Sequence, residues 1–340
     1  MGRYITRRLL QGIPTFFGVT IITFMLMVTA PGDPIALITF GPRSNPEMAA
    51  TLRRQLGLDQ PAFVQYAYWL VGNDWVKLDV DGDGTGDTYG ERKGLLRGDL
   101  GQSILHRESV TKLIAERIPA TLLLTLSSLV IGYTIGVLLG VLAAIFHRGL
   151  IDQLVRIISV IGNAVPAFWL GLLMILYFSV RLGWLPQSGM RTGIRSGFDP
   201  LDTLEHMIMP VAVLSLNTIA FSSRFTRTEI LEVLEQDYVR TARAKGLSST
   251  IIWMRHALRN ALIPVATFVG QSLGTLLAGA VIIESVFLWP GMGKLVIDAV
   301  NNRDYPIIMG TVVIASLMFI IGVLISDVLY ALLDPRIRFR

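Results

Sequence analysis

Residues 237 to 264 read DYVRTARAKGLSSTIIWMRHALRNALIP, and this basic stretch lies between two apolar segments of the chain. A loop that only joins two membrane helices needs about four or five residues, whereas this connector has about 28. Its apolar residues recur with roughly helical spacing, and Gly246 suits the left-handed residue that ends a helix. The pattern predicts two short amphipathic helices, the second over Ile251–Asn260, broken at the glycine. This pattern is typical of a surface on which another molecule docks.

The composition is that of a protein that crosses a membrane several times. Of the 340 residues, 52% are hydrophobic and 16% are charged, and the mean hydropathy is +0.56; soluble domains have about a quarter charged residues. A hydrocarbon core about 30 Å thick requires roughly 20 apolar residues per helix. Six segments meet or approach that length: Leu9–Thr29, Thr121–Phe146, Ile157–Val180, His206–Ser223, Ala261–Ile283 and Ile307–Ala331. The predicted fold is therefore an all-α membrane protein with about six transmembrane helices.

Lysine and arginine residues are distributed unequally over the connections between these spans. The long connector, residues 224–260, has seven basic and four acidic residues, whereas residues 31–119 have ten basic and twelve acidic ones. Because basic residues favour the cytoplasmic side, we expect both termini and the connector to be cytoplasmic and residues 31–119 to be external. This sidedness explains most of the net charge of +5, so nucleic-acid binding is not indicated. The expected domains are an N-terminal transmembrane helix, an external segment and a core transmembrane domain, at residues 1–30, 31–119 and 120–340.

The external segment is the one place for a water-exposed subdomain. Asn45–Leu56 is predicted to be a short helix that Gly57 ends, and Gln60-Pro61 is predicted to open another. Between Asp74 and Arg97 the sequence is polar and rich in glycine, which predicts an exposed loop.

An acidic run inside that loop, at residues 79–91, resembles the first half of a calcium loop. Asp79, Asp81, Asp83 and Asp87 occupy relative positions 1, 3, 5 and 9, with Gly84 at position 6. Alternating carboxylates coordinate a hard cation such as calcium, and the glycine permits the sharp turn of the loop. Position 12 is a glycine instead of the expected glutamate. A structural calcium site and a solvated acidic loop therefore both remain open.

Residues for catalysis or for nucleotide binding are missing from the sequence. There is no cysteine, no phosphate-binding loop and no nucleophile motif. The four histidines have no metal-ligand spacing: His106, His147, His206 and His256. The chain is therefore expected not to be an enzyme and to contain no cofactor of its own apart from the calcium. Energy from a nucleotide must come from a partner.

Uncharged polar residues inside the predicted spans are candidates for a substrate path. Such side chains face a bundle interior or a water-filled path, or they join helices by hydrogen bonds, and the sequence does not separate these roles. The candidates for the path are Asn163, Asn217, Gln271, Ser272 and Thr275. Glu284 and Asp327 lie near span ends and are expected to be solvated there. No buried row of charged residues exists to relay protons, which argues against an ion-coupled carrier.

The basic connector has two possible partners, anionic lipid and another protein. Its positive charge suits a lipid surface. Ala242, Ala244 and Gly246 are small, however, where a lipid-binding helix carries bulky side chains. Small residues at a turn let another protein approach closely, so protein docking is the favoured interpretation.

Asp237–Leu247 also resembles the cytoplasmic signature loop of ABC importer permeases, in the form of the dipeptide/oligopeptide/nickel branch. Of the broader E-A-A-x-x-x-G pattern, Ala242 and Gly246 match, while Arg240 and Thr241 replace the first two positions. Further stretches are similar to the same branch: Arg7–Pro34, Gln55–Pro61, Gly98–Ser103, His256–Pro264 and Gly274–Pro306. The large external segment after the first span is similar to that of the first, dipeptide-type permease subunit.

The resemblance implies a subunit of a bacterial or archaeal plasma-membrane importer for dipeptides or short oligopeptides. Its implied partners are a second homologous permease, two ATPase subunits that hold ATP and Mg²⁺, an extracytoplasmic peptide-binding protein and membrane lipid. The residues implied to couple to the ATPases are Asp237, Tyr238, Arg240, Thr241, Ala242, Arg243, Ala244, Lys245, Gly246 and Leu247. Alternatives are the same type of importer for nickel chelates or another small solute, an ion-coupled secondary carrier, and a membrane scaffold without transport.

Overall fold

The structure is a computed structural model that describes residues 2–32, 35, 46–86, 88–193, 199–248, 251–253, 258, 261–262, 265, 268–269, 272 and 280–333. The chain divides into two compact units. The first comprises Met1–Arg8, Ala120–Lys294 and Met318–Arg340, and the second comprises Leu9–Pro119 and Leu295–Leu317.

Helices make up most of the described structure. In chain order they are α1 (Gly2–Thr29), α2 (Pro46–Gln55), α3 (Ala62–Val71), α4 (Val110–Ile145), α5 (Leu150–Ala164), α6 (Ala167–Met174), α7 (Pro200–Leu234), α8 (Asp237–Ala244), α9 (Val281–Val286), α10 (Met292–Asn301) and α11 (Tyr305–Leu333). A 3₁₀ turn covers Leu95–Arg97, and a π-helical segment covers Ile175–Arg181. Two short strands, β1 (Lys77–Leu78) and β2 (Thr88–Tyr89), form an antiparallel hairpin.

Four described helices are long and apolar enough to cross a membrane: Thr6–Thr29, Val110–Ile145, Pro200–Leu234 and Tyr305–Val328. A fifth candidate is the pair α5 and α6, which is bent by 99°. The predicted count of six spans is therefore not confirmed. Much of the predicted fifth span, Ala261–Ile283, lies outside the described residues.

The third predicted span, Ile157–Val180, is not a continuous helix, and Pro166 explains why. Proline removes an N–H donor and clashes with the preceding turn. It also disfavours the helical conformation of the residue before it. Val165 accordingly has φ −81° and ψ 123°, which is extended backbone. The chain therefore turns between α5 and α6.

Helix α7 is longer than the membrane span predicted at this place, His206–Ser223. Asp199 caps its beginning by accepting hydrogen bonds from the N–H groups of Leu201 and Asp202, at 2.9 and 3.4 Å. Pro200 occupies the first turn, where no N–H is needed, and the helix continues to Leu234. The first part of the predicted connector, residues 224–234, thus belongs to α7. A separate short helix begins at Asp237, and most of the second predicted helix, Ile251–Asn260, lies outside the described residues.

In the first unit, α4 and α7 pack closely through three glycines of α4. Gly132, Gly136 and Gly140 are spaced four residues apart and lie on one helix face. A Cβ atom on Gly140 would lie 2.6 Å from the Ser223 carbonyl oxygen, and one on Gly132 would lie 2.6 Å from Thr218 Cβ. These positions therefore need glycine, because small residues let membrane helices approach.

Glu284, which was expected to be solvated, is fully buried in the first unit. Thr121 donates its hydroxyl to Glu284 Oε1 at 2.7 Å, and the Lys294 N–H donates to Oε2 at 3.1 Å. Lys294 lies in the first turn of α10, where unpaired N–H groups and the helix dipole favour a carboxylate. Asp327 forms an ion pair with Arg8 at 2.9 Å. Both carboxylates therefore have protein partners.

In the second unit, α3 packs against α1. Thr20 and Tyr66 share a hydrogen bond of 3.0 Å, and the Tyr66 ring packs edge-on against Phe24 with centroids 5.4 Å apart. The predicted helix after residue 45 and the one after Pro61 are present as α2 and α3, and Gly57 has the left-handed φ of +68° after α2. The hairpin β1–β2, which flanks the acidic run, was not predicted.

Candidate functional site: the helix corner after α7

The chain turns sharply where α7 ends and α8 begins. The N–H of Gln236 donates to the Val233 carbonyl at 3.2 Å, and Gln236 itself has the extended angles φ −69° and ψ 148°. Helix α8 then starts at Asp237 and has Arg243 in its last turn. An acidic residue at the start and a basic one at the end suit the helix dipole.

One face of α8 is fixed to the same chain. Val239 is fully buried and Ala242 is 6% exposed; both pack with Ile252 in a cluster that Val233 and Leu234 of α7 complete. Of the three small residues that favoured protein docking, Ala242 therefore faces inward. Ala244 and Gly246 are exposed. We call α8 and the residues up to Leu247 the α8 corner.

The end of α8 has the glycine cap that the sequence predicts. Gly246 has φ +77°. Its N–H donates to the Arg243 carbonyl at 3.0 Å, and the N–H of Leu247 donates to the Ala242 carbonyl at 3.3 Å. This pair of bonds is the Schellman motif, which requires a left-handed residue. The backbone of the α8 corner is therefore defined up to its last residue.

The outer face of the α8 corner is basic and accessible. Asp237 and Arg240 form a long ion pair of 3.4 Å on the surface. Among the residues that the structure describes, no atom lies within 4 Å of a Cβ atom added to Gly246. The exposed residues among those singled out by sequence are Asp237, Tyr238, Arg240, Thr241, Arg243, Ala244, Lys245, Gly246 and Leu247. An acidic or polar cleft is the complementary partner surface.

A buried ion pair holds α7 near this corner. Arg227 of α7 donates from Nε to Asp152 Oδ1 at 2.6 Å and from Nη2 to Oδ2 at 2.9 Å. The Arg148 N–H also donates to Asp152 at 2.9 Å, and Arg156 lies 3.5 Å away. The Asp152 side chain has no exposure. Sequence reasoning missed this group, although an aspartate between two arginines at the start of an apolar helix was a usable signal.

The structure gives different environments to the predicted path residues. Asn163 donates to the Ser159 carbonyl of its own helix at 3.0 Å, and Asn217 is exposed. Ser272 shares a hydrogen bond of 2.9 Å with the Tyr133 hydroxyl. Gln271 and Thr275 lie outside the described residues. The substrate path through these five residues thus stays a prediction.

Two other serines of the predicted spans form hydrogen bonds with backbone or side-chain groups. Ser223 shares a 3.0 Å hydrogen bond with Ser159 of α5, whereas Ser222 donates to the Thr218 carbonyl of its own helix at 2.6 Å and lies 3.4 Å from the Gly132 carbonyl. Hydrogen bonding between helices therefore accounts for the Ser223 hydroxyl, and bonding within α7 accounts for the Ser222 hydroxyl.

The acidic run is folded into a compact loop. One carboxylate oxygen each of Asp79, Asp81 and Asp83 lies within 4.8 Å of the others, which fits the oxygen ligands that calcium prefers. Asp79 also accepts the N–H groups of Gly82 and Gly84, at 2.6 and 3.0 Å. Hydrogen bonds from Thr85 hold the pKa of Asp83 below its usual range. Asp87 lies outside the described residues, and the calcium site stays a prediction.

Family models match nearly the whole chain. Residues 136–339 match the binding-protein-dependent transport system inner membrane component, and residues 1–125 match the N-terminal part of the corresponding membrane component. Among solved structures, a chain of the inward-facing MetNI methionine ABC transporter aligns with a TM-score of 0.49 and 20% identity, over 66% of this chain and 97% of that one.

Curated relatives match from end to end. An oligopeptide transport system permease protein of Bacillus subtilis (strain 168) is 40% identical over 100% of both chains. A di/tripeptide transport system permease protein of Pseudomonas aeruginosa (strain UCBPP-PA14) is 42% identical over 99% of both, and a glutathione transport system permease protein of Escherichia coli (strain K12) is 39% identical over 100% of both. With these relatives and a family model over residues 136–339, the chain belongs to the family of binding-protein-dependent transport system inner membrane components.

Proposed function

We propose that this chain is the membrane-spanning permease subunit of an ATP-binding-cassette importer that takes up dipeptides or short oligopeptides by alternating access. The α8 corner is the observation that carries the proposal, since it is a rigid, exposed and basic helix end fixed to a long membrane helix. The three relatives named above are permeases for oligopeptides, di/tripeptides and glutathione. Short peptides are therefore the proposed cargo.

The proposed coupling follows a series of packed contacts. A partner that moves the α8 corner also moves the end of α7, because Val239 and Ala242 are buried against it. Movement of α7 reaches α5 through the ion pair between Arg227 and Asp152. It reaches α4 through the glycine contacts. Buried elements with little free volume transmit displacement well.

The proposed partners supply what this chain lacks. Two ATPase subunits bind ATP and Mg²⁺ and receive the α8 corner in a cleft, a second homologous permease completes the path, and an extracytoplasmic binding protein delivers the peptide. The sequence has no phosphate-binding loop, so hydrolysis is assigned to the ATPases. The excess of basic residues in 224–260 supports a cytoplasmic α8 corner and cytoplasmic termini in a bacterial or archaeal plasma membrane.

The test is reconstitution of the four subunits in liposomes with the binding protein. We expect ATPase activity that the binding protein and a dipeptide stimulate together, with uptake of the dipeptide. Stimulation by a nickel chelate in place of the peptide would change the proposed cargo. Uptake by this chain without ATPase subunits would reject the importer class in favour of an ion-coupled carrier.

A bulky residue in the α8 corner tests the docking surface directly. Gly246→Trp fills the open space beside the cap, and we expect loss of ATPase association and of uptake. Gly183→Trp is the matched control, because Gly183 also has a positive φ (+64°) and no described residue within 4 Å of an added Cβ. Retained association of Gly246→Trp would refute docking at this corner.

A further inference from the structure

The exposed surface of α7 changes in composition near the middle of the helix. In the first half the exposed side chains are mostly apolar, among them Leu201, Leu204 and Ile208. In the second half, residues 213–234, every exposed residue is polar, and these residues are Asn217, Arg224, Thr228 and Glu232. At about 100° per residue they lie within about 80° of one another around the helix axis. They therefore share one side of the helix, here called the polar face of α7.

Asn217 lies inside the membrane whichever part of α7 crosses it. The helix is a candidate span of 35 residues, and Asn217 is its middle residue. A hydrocarbon core about 30 Å thick requires roughly 20 helical residues, and any run of that length within α7 contains the middle one. Polar side chains at such a position face protein or water. Asn217 is nevertheless exposed in the described part of this chain.

Other candidate spans have a different exposed surface. Helix α4 exposes mainly aliphatic side chains, such as Leu126, Val130 and Leu138, and α11 exposes Leu317 and Phe319. Surfaces of this composition suit lipid, because hydrocarbon offers no partner for a polar group. The polar face of α7 does not have that composition, so it is assigned to a water-filled space or to a protein contact.

Arg224 provides a positive charge on the polar face. Arg227, three residues later, is paired with the buried Asp152. Arg224 is exposed, and its guanidinium has no carboxylate within ion-pair distance among the residues that the structure describes. A guanidinium presents its N–H donors in a planar fork that matches a carboxylate. Arg224 is therefore available to an anion that comes from outside the chain.

Three phenylalanines form an apolar cluster beside the polar face. Phe221 and Phe225 of α7 stack with ring centroids 5.8 Å apart, and Phe268 packs edge-on against them at 5.0 and 4.8 Å. All three are half-buried. Phe221 follows Asn217 by four residues and precedes Arg224 by three, so it lies between them along the helix. Aromatic surface with a few polar groups is the usual composition of a site for a small molecule.

We propose that the polar face and the phenylalanine cluster bind the peptide cargo as it crosses the membrane. Arg224 binds the terminal carboxylate, Asn217 bonds to a backbone amide, and the phenylalanines contact the cargo side chains. Asn217 and Arg224 are about 10.5 Å apart along the helix axis, which is about the length of three extended residues. Carboxylate and amides are common to all short unmodified peptides, so the polar contacts do not depend on cargo sequence. This inference rests on the proposed function, because it takes the cargo to be a peptide.

The absence of cysteine from the chain permits a direct test of the polar face. Asn217→Cys and Ile208→Cys each give this subunit a single thiol, in the complete importer in nanodiscs. Ile208 is the matched control, because it is exposed about 180° around the same helix. A charged methanethiosulfonate should modify Asn217→Cys at least tenfold faster than Ile208→Cys, as measured by mass spectrometry of this chain. Binding protein with saturating dipeptide and ATP should slow that reaction at least threefold.

Two results of the thiol experiment would overturn the proposal. Equal, slow modification of both cysteines would assign the polar face to lipid or to the second permease. Fast modification of Asn217→Cys that dipeptide does not slow would indicate a water-filled space without cargo contact. This experiment leaves Arg224 intact, so it decides the question even where Arg224 variants fold poorly.

The role of Arg224 is tested by uptake per ATP hydrolysed in liposomes with the binding protein. Arg224→Gln should lower dipeptide uptake at least fivefold, while Arg224→Lys, which keeps the charge, should retain at least half. Arg181→Gln is the control, since Arg181 is an exposed arginine outside α7, and it should match wild type. For a dipeptide with an amidated C-terminus, wild type and Arg224→Gln should transport equally, because no carboxylate is present.

An equal loss of acid and amide uptake in Arg224→Gln would show a structural role and overturn the carboxylate assignment. Unchanged uptake of both would overturn it as well. In either case, dipeptide-stimulated ATPase activity and uptake by the wild type would still support the proposed importer. Failure of the site is therefore distinguishable from failure of the proposed function, which requires that the wild type itself show no uptake.

Discussion

Arg227 of α7 and Asp152 of α5 form a bidentate ion pair inside the protein, with N···O distances of 2.6 and 2.9 Å. Asp152 is fully buried and Arg227 is mostly so. The pair joins the helix that carries the α8 corner to the helix that follows the α4–α5 turn. Its energetic role differs from that of a surface pair, because removal of one partner leaves a buried charge without compensation.

Asp152→Asn should therefore destabilise the folded protein by about 3–5 kcal/mol. The double variant Asp152→Leu/Arg227→Met should recover much of that loss, since it removes both buried charges. Thermal unfolding in detergent measures both effects. Asp237→Asn is the control, because its pair with Arg240 is on the surface and should contribute little. A melting curve of Asp152→Asn equal to that of the control would contradict the importance of the pair.

The glycine cap of α8 gives a second prediction. Gly246→Ala places a Cβ in the left-handed region and should weaken the last turn of α8 by about 1 kcal/mol. Gly246→Asn should be milder, because asparagine tolerates that conformation. Hydrogen exchange of the backbone amides at positions 246 and 247 reports the difference. Equal exchange in the wild type and in the Gly246→Ala variant would mean that the cap adds no local stability.

The glycine contacts of α4 give a third prediction. Gly140→Leu forces a side chain against the Ser223 carbonyl, which is backbone and moves only with α7. Overpacking of this kind costs about 1–3 kcal/mol or more. Gly18→Leu on α1 is the matched control, since an added Cβ there meets no atom within 4 Å in the described part of the chain. We expect a lower melting temperature for Gly140→Leu alone.

The ion pair between Asp74 and Arg97 lies outside the candidate membrane spans, and it predicts how the stability of the fold depends on pH. Arg97 donates to both carboxylate oxygens, at 2.6 and 2.7 Å, and holds the pKa of Asp74 below its usual value of 3.8. The contribution to stability is present above pH 3.8 and is lost as the pH falls through the lower folded-state pKa. The melting temperatures of wild type and Asp74→Asn should therefore converge in strong acid. A constant difference between them at all pH values would oppose this assignment.

The acidic loop gives a metal prediction. Extracellular calcium modules have dissociation constants of about 10⁻⁴–10⁻³ M, so millimolar calcium should stabilise the fold by about 0.4–1.4 kcal/mol. Asp81→Asn keeps an acceptor oxygen but removes a ligand charge, and it should lose the effect. Unchanged melting of the wild type with calcium and with a chelator would reject the site.

The sequence predicts local features, such as helix ends, better than it predicts which distant residues contact each other. Apolar length indicates the spans, and Gly57 and Gly246 mark helix ends, because these signals depend on a few neighbouring residues. Pro166 was a visible reason for the bend that the prediction of a straight third span overlooked. Arg227, which pairs with Asp152, lies 75 residues away along the chain, and the two partners of Glu284 lie 10 and 163 residues away, so only the packed fold brings these groups together.

The length of α7 has a mechanical consequence. With 35 residues, the helix is about 52 Å long, which exceeds the roughly 30 Å hydrocarbon core. If α7 tilts as a rigid rod by about 10° around its midpoint, each end moves by about 4–5 Å in opposite directions. A modest push at the end of α7 next to the α8 corner would thereby become a movement of a few ångströms at the opposite end, which Asp199 caps.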